Sequence, residues 1–482
     1  MDVLLSVDLG TTACKSAAFA VDGQRLGSAT EEYPLSTPHP GWAEQDPEDW
    51  WSVTVRTLRR SLKASDASPA RVRAVSISSQ GISFVPVDRE GTPLGSAISW
   101  LDMRAQDQAA MVSERIGDQR LFGLTGKRPS AAYVLPKLLW LRENAPALFR
   151  RMDKLLLAHD WLLYRLCGAQ TTDYSMAGGT MLLDLNRLVW SEELLSAFDL
   201  SASSLPSLAW AGSIAGTLSN KAAAELGLPQ GIPVVVGGQD QKCAALGAAI
   251  EPGVATISLG TATAITCLTP TAALDPLSRI PLFPFVRPGW WTLEGVVGTT
   301  GAALKWARAT LWPEVDYPAL DALAEASPPG SNGARFYPHL AGATSPIWDG
   351  GARGTLTGLS LSTGRGDIVR SILEGVCYQI RANLEAMAPL ASVERLVVFG
   401  GGARSRLWCE LLAQVTALPV RSLALVDVAN WGACVLAGIG SGLVAEGRPP
   451  EGPAAQGSDH NPHAALCETY NELYQSYLAR GG

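Results

Sequence analysis

Short apolar runs that end in glycine or polar residues recur along the chain. Three of them have the composition of buried strands, at residues 72–78, 232–238 and 395–402. Amphipathic stretches of helical period lie between such runs, at residues 106–115, 136–143, 301–311, 367–390, 405–416 and 464–480. Strands that alternate with helices predict α/β layers. Residues 447–462, rich in Pro, Gly and Ala, predict a surface connection before the last helix.

The tripeptide Leu-Gly-Thr occurs twice in similar surroundings, at Leu9 and again at Leu259, 250 positions later. Each copy ends a β-type run and precedes another apolar run, a pattern that predicts a strand–turn–strand hairpin. One explanation is a chance echo in a long chain. The other is a duplicated α/β unit in which each half opens with a hairpin. The second explanation predicts two domains, residues 1–243 and 244–482.

Composition and charge exclude several classes of protein. The chain has 482 residues, is 47% hydrophobic, and carries 38 Lys+Arg against 45 Asp+Glu, a net charge of −7. It is too apolar to be disordered, and no basic field favours nucleic acid. The uncharged stretches 252–274 and 428–445 are too rich in Thr, Gly and Ala for membrane spans, and no signal peptide is recognisable. Eight scattered cysteines without a CxxC pair predict reduced thiols in the cytoplasm.

The first hairpin has the chemistry of a phosphate-binding loop, although the chain contains neither GxxxxGKS/T nor GxGxxG. Gly10 allows a tight turn that exposes backbone N–H groups, Thr11 and Thr12 add hydroxyl donors, and Lys15 adds positive charge. Asp8 is a candidate for holding Mg²⁺, directly or through water.

The second hairpin repeats the Gly-Thr donors at Gly260 and Thr261 without the carboxylate or the lysine. Two such hairpins facing each other would hold a triphosphate from both sides. The alternative for each is an ordinary β-hairpin with a Gly-Thr turn.

Motifs over nearly the whole chain resemble the FGGY carbohydrate kinases. They are Asp8-Leu-Gly-Thr-Thr, Gly41-Trp-Ala-Glu-Gln-Asp-Pro, Lys137-Leu-Leu-Trp-Leu-Arg-Glu-Asn, Gly354-Thr-Leu-Thr-Gly-Leu and Ser371-Ile-Leu-Glu-Gly. The resemblance implies two actin-like domains, of the ribonuclease H-like fold shared with hexokinase and heat-shock ATPases, with a cleft between them. It also implies ATP and Mg²⁺ as cofactors and a small sugar or polyol as partner. Relatives are often homodimers.

The resemblance assigns the catalytic base to Asp240, in the loop Gly237-Gly-Gln-Asp-Gln. Phosphoryl transfer to an alcohol needs an acceptor for the hydroxyl proton, which a carboxylate provides. The alternative for Asp240 is an N-cap on a helix over residues 241–250.

On the nucleotide side, the resemblance makes 298–303 the loop that touches the nucleotide, with Gly301 at the matching glycine. It places the adenosine at Gly401, Gly402 and Ala403, and further along at Asn430. The alternative for the glycines is ordinary turns between helices and strands.

On the sugar side, Gln80 and Gly81 stand where xylulokinases carry Gln-Met-His-Gly, so the Met-His pair is missing. Trp100, Asp102 and Arg104 resemble the family's Trp-x-Asp-x-Arg element and become substrate-binding candidates, together with Asp240. The alternative for Asp102 and Arg104 is a structural ion pair at the cleft wall. The adjacent His159 and Asp160 lack a nucleophile and predict a structural contact.

These residues together predict ATP-dependent phosphorylation of a sugar hydroxyl. Overall spacing is most like the xylulokinase branch, which makes D-xylulose, converted to its 5-phosphate, the leading substrate. Ribulose, glycerol, gluconate and other ketoses, polyols or aldonates stay open, because specificity resides in a few cleft contacts. Two other classes are a non-catalytic sugar or nucleotide sensor and an ATPase that acts on a protein partner.

Overall fold

The computed structural model describes residues 1–424, 427–446, 450 and 452–479. Its strands are β1 Val3–Leu9, β2 Ala13–Ala20, β3 Arg25–Glu32, β4 Glu44–Gln45, β5 Val72–Ser79, β6 Phe84–Val87, β7 Ala97–Ile98, β8 Lys154–Leu157, β9 Thr171–Asp173, β10 Leu183–Asp184, β11 Val189–Trp190, β12 Ser207–Ala209, β13 Ile214–Thr217, β14 Pro233–Gln239, β15 Gly253–Leu259, β16 Thr263–Thr269, β17 Leu282–Pro284, β18 Trp291–Val297, β19 Arg335–Tyr337, β20 Thr355–Thr357, β21 Val393–Phe399, β22 Val420–Leu423 and β23 Gly457–His460.

The helices are α1 Pro47–Ala64, α2 Gln106–Ile116, α3 Asp118–Thr125, α4 Val134–Asn144, α5 Pro146–Arg151, α6 Ala158–Cys167, α7 Tyr174–Gly178, α8 Glu192–Ala197, α9 Asn220–Leu226, α10 Asp240–Gly247, α11 Gly301–Leu311, α12 Tyr317–Glu325, α13 Arg365–Met387, α14 Arg406–Thr416, α15 Val428–Gly440 and α16 Ala464–Leu478. Short 3₁₀ turns lie at Pro69–Arg71, Ala202–Ser204, Ser331–Gly333, Gly402–Arg404 and Gly452–Ala455. Among the described residues, no helix is both long enough and apolar enough to cross a bilayer.

Two large sheets repeat one topology. The first has the order β13-β14-β5-β1-β2-β3 and the second the order β17-β18-β16-β15-β21-β22-β23. In both, the hairpin strands pair antiparallel, and the first hairpin strand then pairs parallel with a later strand, β5 or β21. β14 and β22 extend the two sheets by a further parallel pair. This repetition confirms the duplicated α/β architecture expected from the Leu-Gly-Thr echo.

The turns of the two hairpins are similar, although the first spans four residues, Gly10–Ala13, and the second three, Gly260–Ala262. Leu9 pairs with Cys14 in the first, and Leu259 pairs with Thr263 in the second, so both turns start at a glycine. A Cβ on the turn glycine would lie 3.2 Å from a backbone oxygen in each hairpin. That contact is tighter than side chains normally accept, which explains glycine at both turns. In the first register Asp8 lies opposite Lys15.

Helices α10 and α15 join the halves. α15, from the second half of the chain, packs on β1, β5 and β14 of the first sheet and crosses α10. At the crossing the backbones touch: a Cβ on Gly432 would lie 1.8 Å from the carbonyl oxygen of Cys243. The expected boundary between residues 243 and 244 falls inside α10, and the division into domains there stays a prediction.

The expected surface connection at residues 447–462 is only partly what the structure has. Residues 447–449 and 451 lie outside the described residues. Residues Gly457–His460 form β23, which pairs antiparallel with β22 at the edge of the second sheet. A strand of Gly, Ser, Asp and His has little β-propensity, and it forms because β22 offers an open edge to pair with.

Candidate active site

Asp240 lies where β14 ends and α10 begins. Gln239 takes the N-cap position, so the capping alternative for Asp240 is wrong in detail, although its carboxylate still serves the helix start. Its Oδ1 accepts hydrogen bonds from the backbone N–H of Gln241 and from Nε2 of Gln239, each at 2.7 Å. These contacts fix the orientation of the carboxylate and leave its second oxygen without a hydrogen bond from the described residues.

Burial raises the pKa of the Asp240 carboxyl to about 7, helped by the nearby carboxylates of Asp8 and Glu294 and opposed by Lys242 and the Gln241 N–H. A group that titrates near neutral pH holds and releases protons readily under physiological conditions. The surroundings of Asp240 therefore suit a group that takes up and releases a proton near neutral pH.

Asp8 and Lys15 form the charged pair of the first hairpin. Ser78 on β5 donates a 2.8 Å hydrogen bond to Oδ1 of Asp8. Burial raises the pKa of Asp8, and Lys15 acts against that rise. A partly exposed carboxylate beside a loop of N–H and hydroxyl donors is a donor set that suits Mg²⁺ bound together with phosphate oxygens. Among the described residues, no group of three or more His, Cys, Asp or Glu side chains is placed to hold a metal ion.

The turn of the first hairpin is tied to its surroundings at each residue. The Tyr33 hydroxyl donates to the carbonyl of Gly10. Gln45 Nε2 donates to the carbonyl of Thr11 across 2.6 Å, and the indole N–H of Trp100 donates to the Thr11 hydroxyl across 2.8 Å. Thr12 is exposed at the tip. The loop is thus fixed before any ligand arrives.

The second hairpin lines a cavity of about 1330 Å³. Gly260, Thr261, Gly301, Gly401 and Gly402 are all at its wall. The structure brings these five predicted residues together from three separate segments.

Gly301 begins α11 directly against the second hairpin. Its N–H donates to the carbonyl of Gly260 at 2.9 Å, and a Cβ on Gly301 would lie 2.6 Å from that oxygen. The Thr300 hydroxyl donates to the same carbonyl at 2.8 Å. Ala403, in contrast to its glycine neighbours, is buried and is not at the cavity wall.

Sequence reasoning missed the aromatic part of the cavity. Trp306 on α11 and Tyr317 on α12 line it, with 43% and 44% of their surface exposed. Large apolar side chains left this open mark a ligand surface. The available signal was the exposed position of Trp306 on an amphipathic helix that follows the Gly301 loop.

Asn430 is not at the cavity, which corrects its assignment to adenosine. It lies inside α15, is 1% exposed, and its Oδ1 accepts a 2.8 Å hydrogen bond from Ser6. Its Nδ2 has no hydrogen-bond partner among the described residues. The family resemblance placed Asn430 on the nucleotide side, but α15 turns this side chain toward Ser6 of the first sheet.

Gln80 is likewise turned inward. It is buried, its Nε2 donates to Gln45 at 2.9 Å, and its Oε1 accepts from Ser83 at 3.0 Å. Its side chain therefore supports the first hairpin through Gln45 and has no group left for a sugar, which corrects that assignment. Gly81 does lie near the loop that contains Asp240, since a Cβ there would be 3.2 Å from Cγ of Gln239.

Asp102 and Arg104 form the structural ion pair that was the alternative to sugar binding. Both oxygens of Asp102 are used: they accept from the backbone N–H groups of Ala43 and Arg104 and from two guanidinium nitrogens of Arg104, at 2.6–2.9 Å. Arg104 also pairs with Glu44 at 2.7 Å and lies 3.6 Å from the ring centre of Trp42. The assignment of both residues to the substrate is corrected. Trp100 beside them is 41% exposed and remains a candidate for contact with the substrate.

His159 and Asp160 make the structural contact expected for them. Nδ1 of His159 lies 3.0 Å from Oδ1 of Asp160, and Nε2 accepts from the backbone N–H of Gly237 at 3.1 Å. Both side chains are buried. The pair therefore supports the strand that carries Asp240.

Comparisons with known proteins agree with this geometry. Residues 3–247 match the model of the N-terminal domain of the FGGY family of carbohydrate kinases, and residues 255–441 match the model of its C-terminal domain. A xylulose kinase of Bacillus subtilis is 31% identical over 444 residues, 92% of this chain and 89% of the relative. A glycerol kinase of Thermococcus gammatolerans is 30% identical over 444 residues, 90% of this chain and 88% of the relative.

A solved structure of xylulose kinase from Rhodospirillum rubrum has a TM-score of 0.91 at 29% identity and covers 99% of this chain and 98% of its own. Both halves of the chain, both hairpins and the Asp240 loop fall within these matches. The protein is therefore a member of the FGGY family of carbohydrate kinases, a sugar phosphotransferase of the actin-like fold that uses ATP.

Proposed function

We propose that this kinase phosphorylates a hydroxyl group of a small sugar at the expense of ATP, with D-xylulose as the leading substrate and its 5-phosphate as the product. The observation that carries the chemistry is Asp240, an oriented carboxylate with a pKa of about 7 close to the first hairpin. Relatives described as xylulose kinases support the choice of sugar.

ATP would place its adenosine in the cavity of the second half. Gly401 and Gly402 let the nucleotide approach the backbone, and Trp306 provides an apolar wall. The phosphates would extend from Thr261 toward Thr11, where backbone N–H groups and hydroxyls donate to their oxygens.

In the transfer step the substrate oxygen attacks the γ-phosphorus in line with the bond to the β-phosphate oxygen. As the new P–O bond forms, Asp240 accepts the hydroxyl proton, and the bond to ADP breaks with its electron pair on ADP. Lys15 lies near enough to Asp8 to lower the pKa of the Asp8 carboxyl. The Lys15 ammonium would also offset the negative charge of the phosphates at the first hairpin. Asp8 would hold Mg²⁺, which supplies charge neutralisation for the triphosphate.

The two-lobed architecture gives a reason for sugar dependence. A cleft that closes around sugar and nucleotide excludes water, which limits ATP hydrolysis when no acceptor is bound. A purely sensing protein has no use for a proton acceptor poised near neutral pH, and the Asp240 environment therefore favours catalysis.

Ribulose, glycerol and gluconate are the alternative substrates, because Gly81 and Ile82 replace the Met-His pair of xylulokinases. The eight cysteines are all free thiols, which supports the proposal of a reducing, cytoplasmic location. A homodimer is proposed from the family resemblance alone, and light scattering tests it.

The deciding experiment measures ADP release with a panel of pentuloses, hexuloses, polyols and aldonates. We expect Asp240→Asn to bind ATP like the unaltered protein and to lose at least about a hundredfold in turnover, since a general base contributes about 10²–10⁴. Asp107→Asn, an exposed carboxylate in the first turn of α2, is the matched control. Asp240→Asn with most of its turnover intact would contradict the proposed mechanism, and ADP release independent of any acceptor would contradict the kinase.

A further inference from the structure

A group of charged side chains lies beside Asp240, and so far only the influence of two of its members, Lys242 and Glu294, on the pKa of Asp240 has been described. It consists of Lys127, Lys242 and Glu294, arranged around the ring of Phe283. Lys127 and Lys242 are fully buried, and their ammonium nitrogens lie 3.5 Å and 3.7 Å from the centre of that ring. Buried lysines are rare unless they are paired, so a specific role for them is expected.

Strand alternation directs Glu294 toward the junction of the halves. Its neighbour on β18, Gly295, faces α13, because a Cβ there would lie 2.5 Å from Asn383 and 2.9 Å from Met387. Successive side chains of a strand point to opposite faces, so Glu294 points away from α13. On that side it meets Lys242, which follows Asp240 by two residues on α10.

Only one end of the Glu294 carboxylate is used. Oε2 lies 2.5 Å from Nζ of Lys242, whereas Oε1 has no hydrogen bond to any residue that the structure describes. The side chain of Glu294 is 12% exposed and that of Lys242 is not exposed at all. Of the two side chains, only that of Glu294 is partly exposed, and the buried lysine holds it in place and offsets its charge.

The segment where the Met-His pair is missing lies close to Phe283. A Cβ on Gly179 would lie 2.7 Å from Cγ2 of Ile82 and 3.9 Å from Cε1 of Phe283. Ile82 and Phe283 thus converge on Gly179, and neither offers a hydrogen bond. Of the side chains of Ile82, Phe283 and Glu294, only that of Glu294 has an oxygen, Oε1, that can still accept a hydrogen bond.

We propose that Glu294 selects the acceptor substrate: anchored by Lys242, its carboxylate accepts hydrogen bonds from substrate hydroxyl groups, so that neutral ketoses or polyols bind and aldonates are rejected. This inference rests on the proposed kinase function. Hydroxyl donors match an anionic acceptor. A substrate carboxylate would instead meet the carboxylate of Glu294, with the carboxyl group of Asp240 nearby, in a site where water screens charge poorly.

The test compares acceptors of equal carbon number, D-glucitol with D-gluconate and ketopentoses with pentonates, by ADP release. We expect the unaltered enzyme to prefer the neutral acceptor of each pair. Glu294→Gln should raise KM for neutral acceptors about tenfold, leave KM for ATP unchanged, and narrow the preference over aldonates, because the negative charge is gone. Glu394→Gln, an exposed carboxylate on β21 of the same sheet, is the control and should change neither KM.

Removing one partner of a buried pair can prevent folding. The double variant Lys242→Met, Glu294→Gln therefore removes both charges, and its acceptor KM should also rise. A preference of the unaltered enzyme for aldonates, or an unchanged acceptor KM in both variants, overturns the role of Glu294 while the kinase stands. If no acceptor of either class stimulates ADP release, the kinase function itself is wrong.

Discussion

The indole N–H of Trp100 donates a hydrogen bond of 2.8 Å to the hydroxyl oxygen of Thr11. Trp100 belongs to the segment expected to contact the sugar, and Thr11 to the loop expected to contact the phosphates. Because the hydroxyl oxygen accepts from the indole, its own proton is free to point at a phosphate oxygen. This one contact connects the segment expected at the sugar with the loop expected at the phosphates.

Trp100→Phe keeps the aromatic ring and removes the donor. We expect kcat to fall about fivefold, the effect of one hydrogen bond of about 1 kcal/mol, with KM for the sugar nearly unchanged. Steady-state kinetics measures both constants. Thr11→Val and the double variant complete a mutant cycle. Purely additive effects in that cycle would show that the hydrogen bond between Trp100 and Thr11 does not contribute to turnover.

Asp240 predicts two opposite pH dependences. Its carboxyl has a pKa of about 7 in the native protein, above the ordinary 3.8. Proton acceptance needs the ionised form, so kcat/KM should rise with pH through about 7. The free energy of unfolding should fall with pH instead, because the native state holds the Asp240 proton more tightly than the unfolded state does. This stabilisation is fully present below about pH 4 and is lost as pH rises through about 7.

Urea unfolding measures the second effect. From pH 4 to pH 8 the free energy of unfolding of the unaltered protein should fall by on the order of 4 kcal/mol more than that of Asp240→Asn. A difference that does not vary with pH, together with a flat rate profile from pH 6 to 8, would show that Asp240 is ionised throughout.

Gly301→Ala should disturb the nucleotide side alone. Its Cβ would lie 2.6 Å from the Gly260 carbonyl, so α11 or the second hairpin has to move. We expect KM for ATP to rise about tenfold and stability to fall by about 1–3 kcal/mol, with KM for the sugar unchanged. Gly123→Ala in α3, where no atom lies within 4 Å of the new Cβ, is the control; it should leave KM for ATP unchanged and raise stability by about 0.5–1 kcal/mol. Equal effects of the two variants would contradict the contact.

Asp102→Asn separates a structural role from sugar binding. Arg104, with a side chain only 3% exposed, would lose its main partner, and we expect a loss of about 3 kcal/mol in the free energy of unfolding. KM for the sugar should stay within about twofold. Asp153→Asn, which breaks the exposed contact with Arg89 at 3.8 Å, should lose less than about 1 kcal/mol. A large rise in sugar KM for Asp102→Asn in the folded protein would restore Asp102 to the binding site.

The elements carried by strong local patterns were predictable from sequence. The hairpin at Leu9 and its copy at Leu259 were predictable because a short β-type run, a Gly-Thr turn and a second apolar run favour a hairpin. α11 begins and ends at the predicted residues for the same reason. β23 was not predictable, because its polar residues form a strand only through pairing with β22.

The errors at the site have one physical origin. Gln80, Asp102 and Asn430 are polar residues next to functional loops, and sequence alone does not tell whether such a side chain faces the cleft or the interior. Each turned out to be buried with a partner inside the protein. Glu294 was missed because its partner Lys242 is 52 positions away in sequence, and only the fold brings the two side chains together.

The placement of α15 has a consequence for how the chain is made. This helix covers the first sheet, where Trp431 packs 5.2 Å from Phe19 and near Leu4 and Val235. The ribosome releases Val235 long before α15, by roughly 10–40 s at 5–20 residues per second. During that interval the N-terminal half waits with an apolar face uncovered. Nascent chains of this protein should therefore be clients of cellular chaperones until the C-terminal part of the chain has emerged.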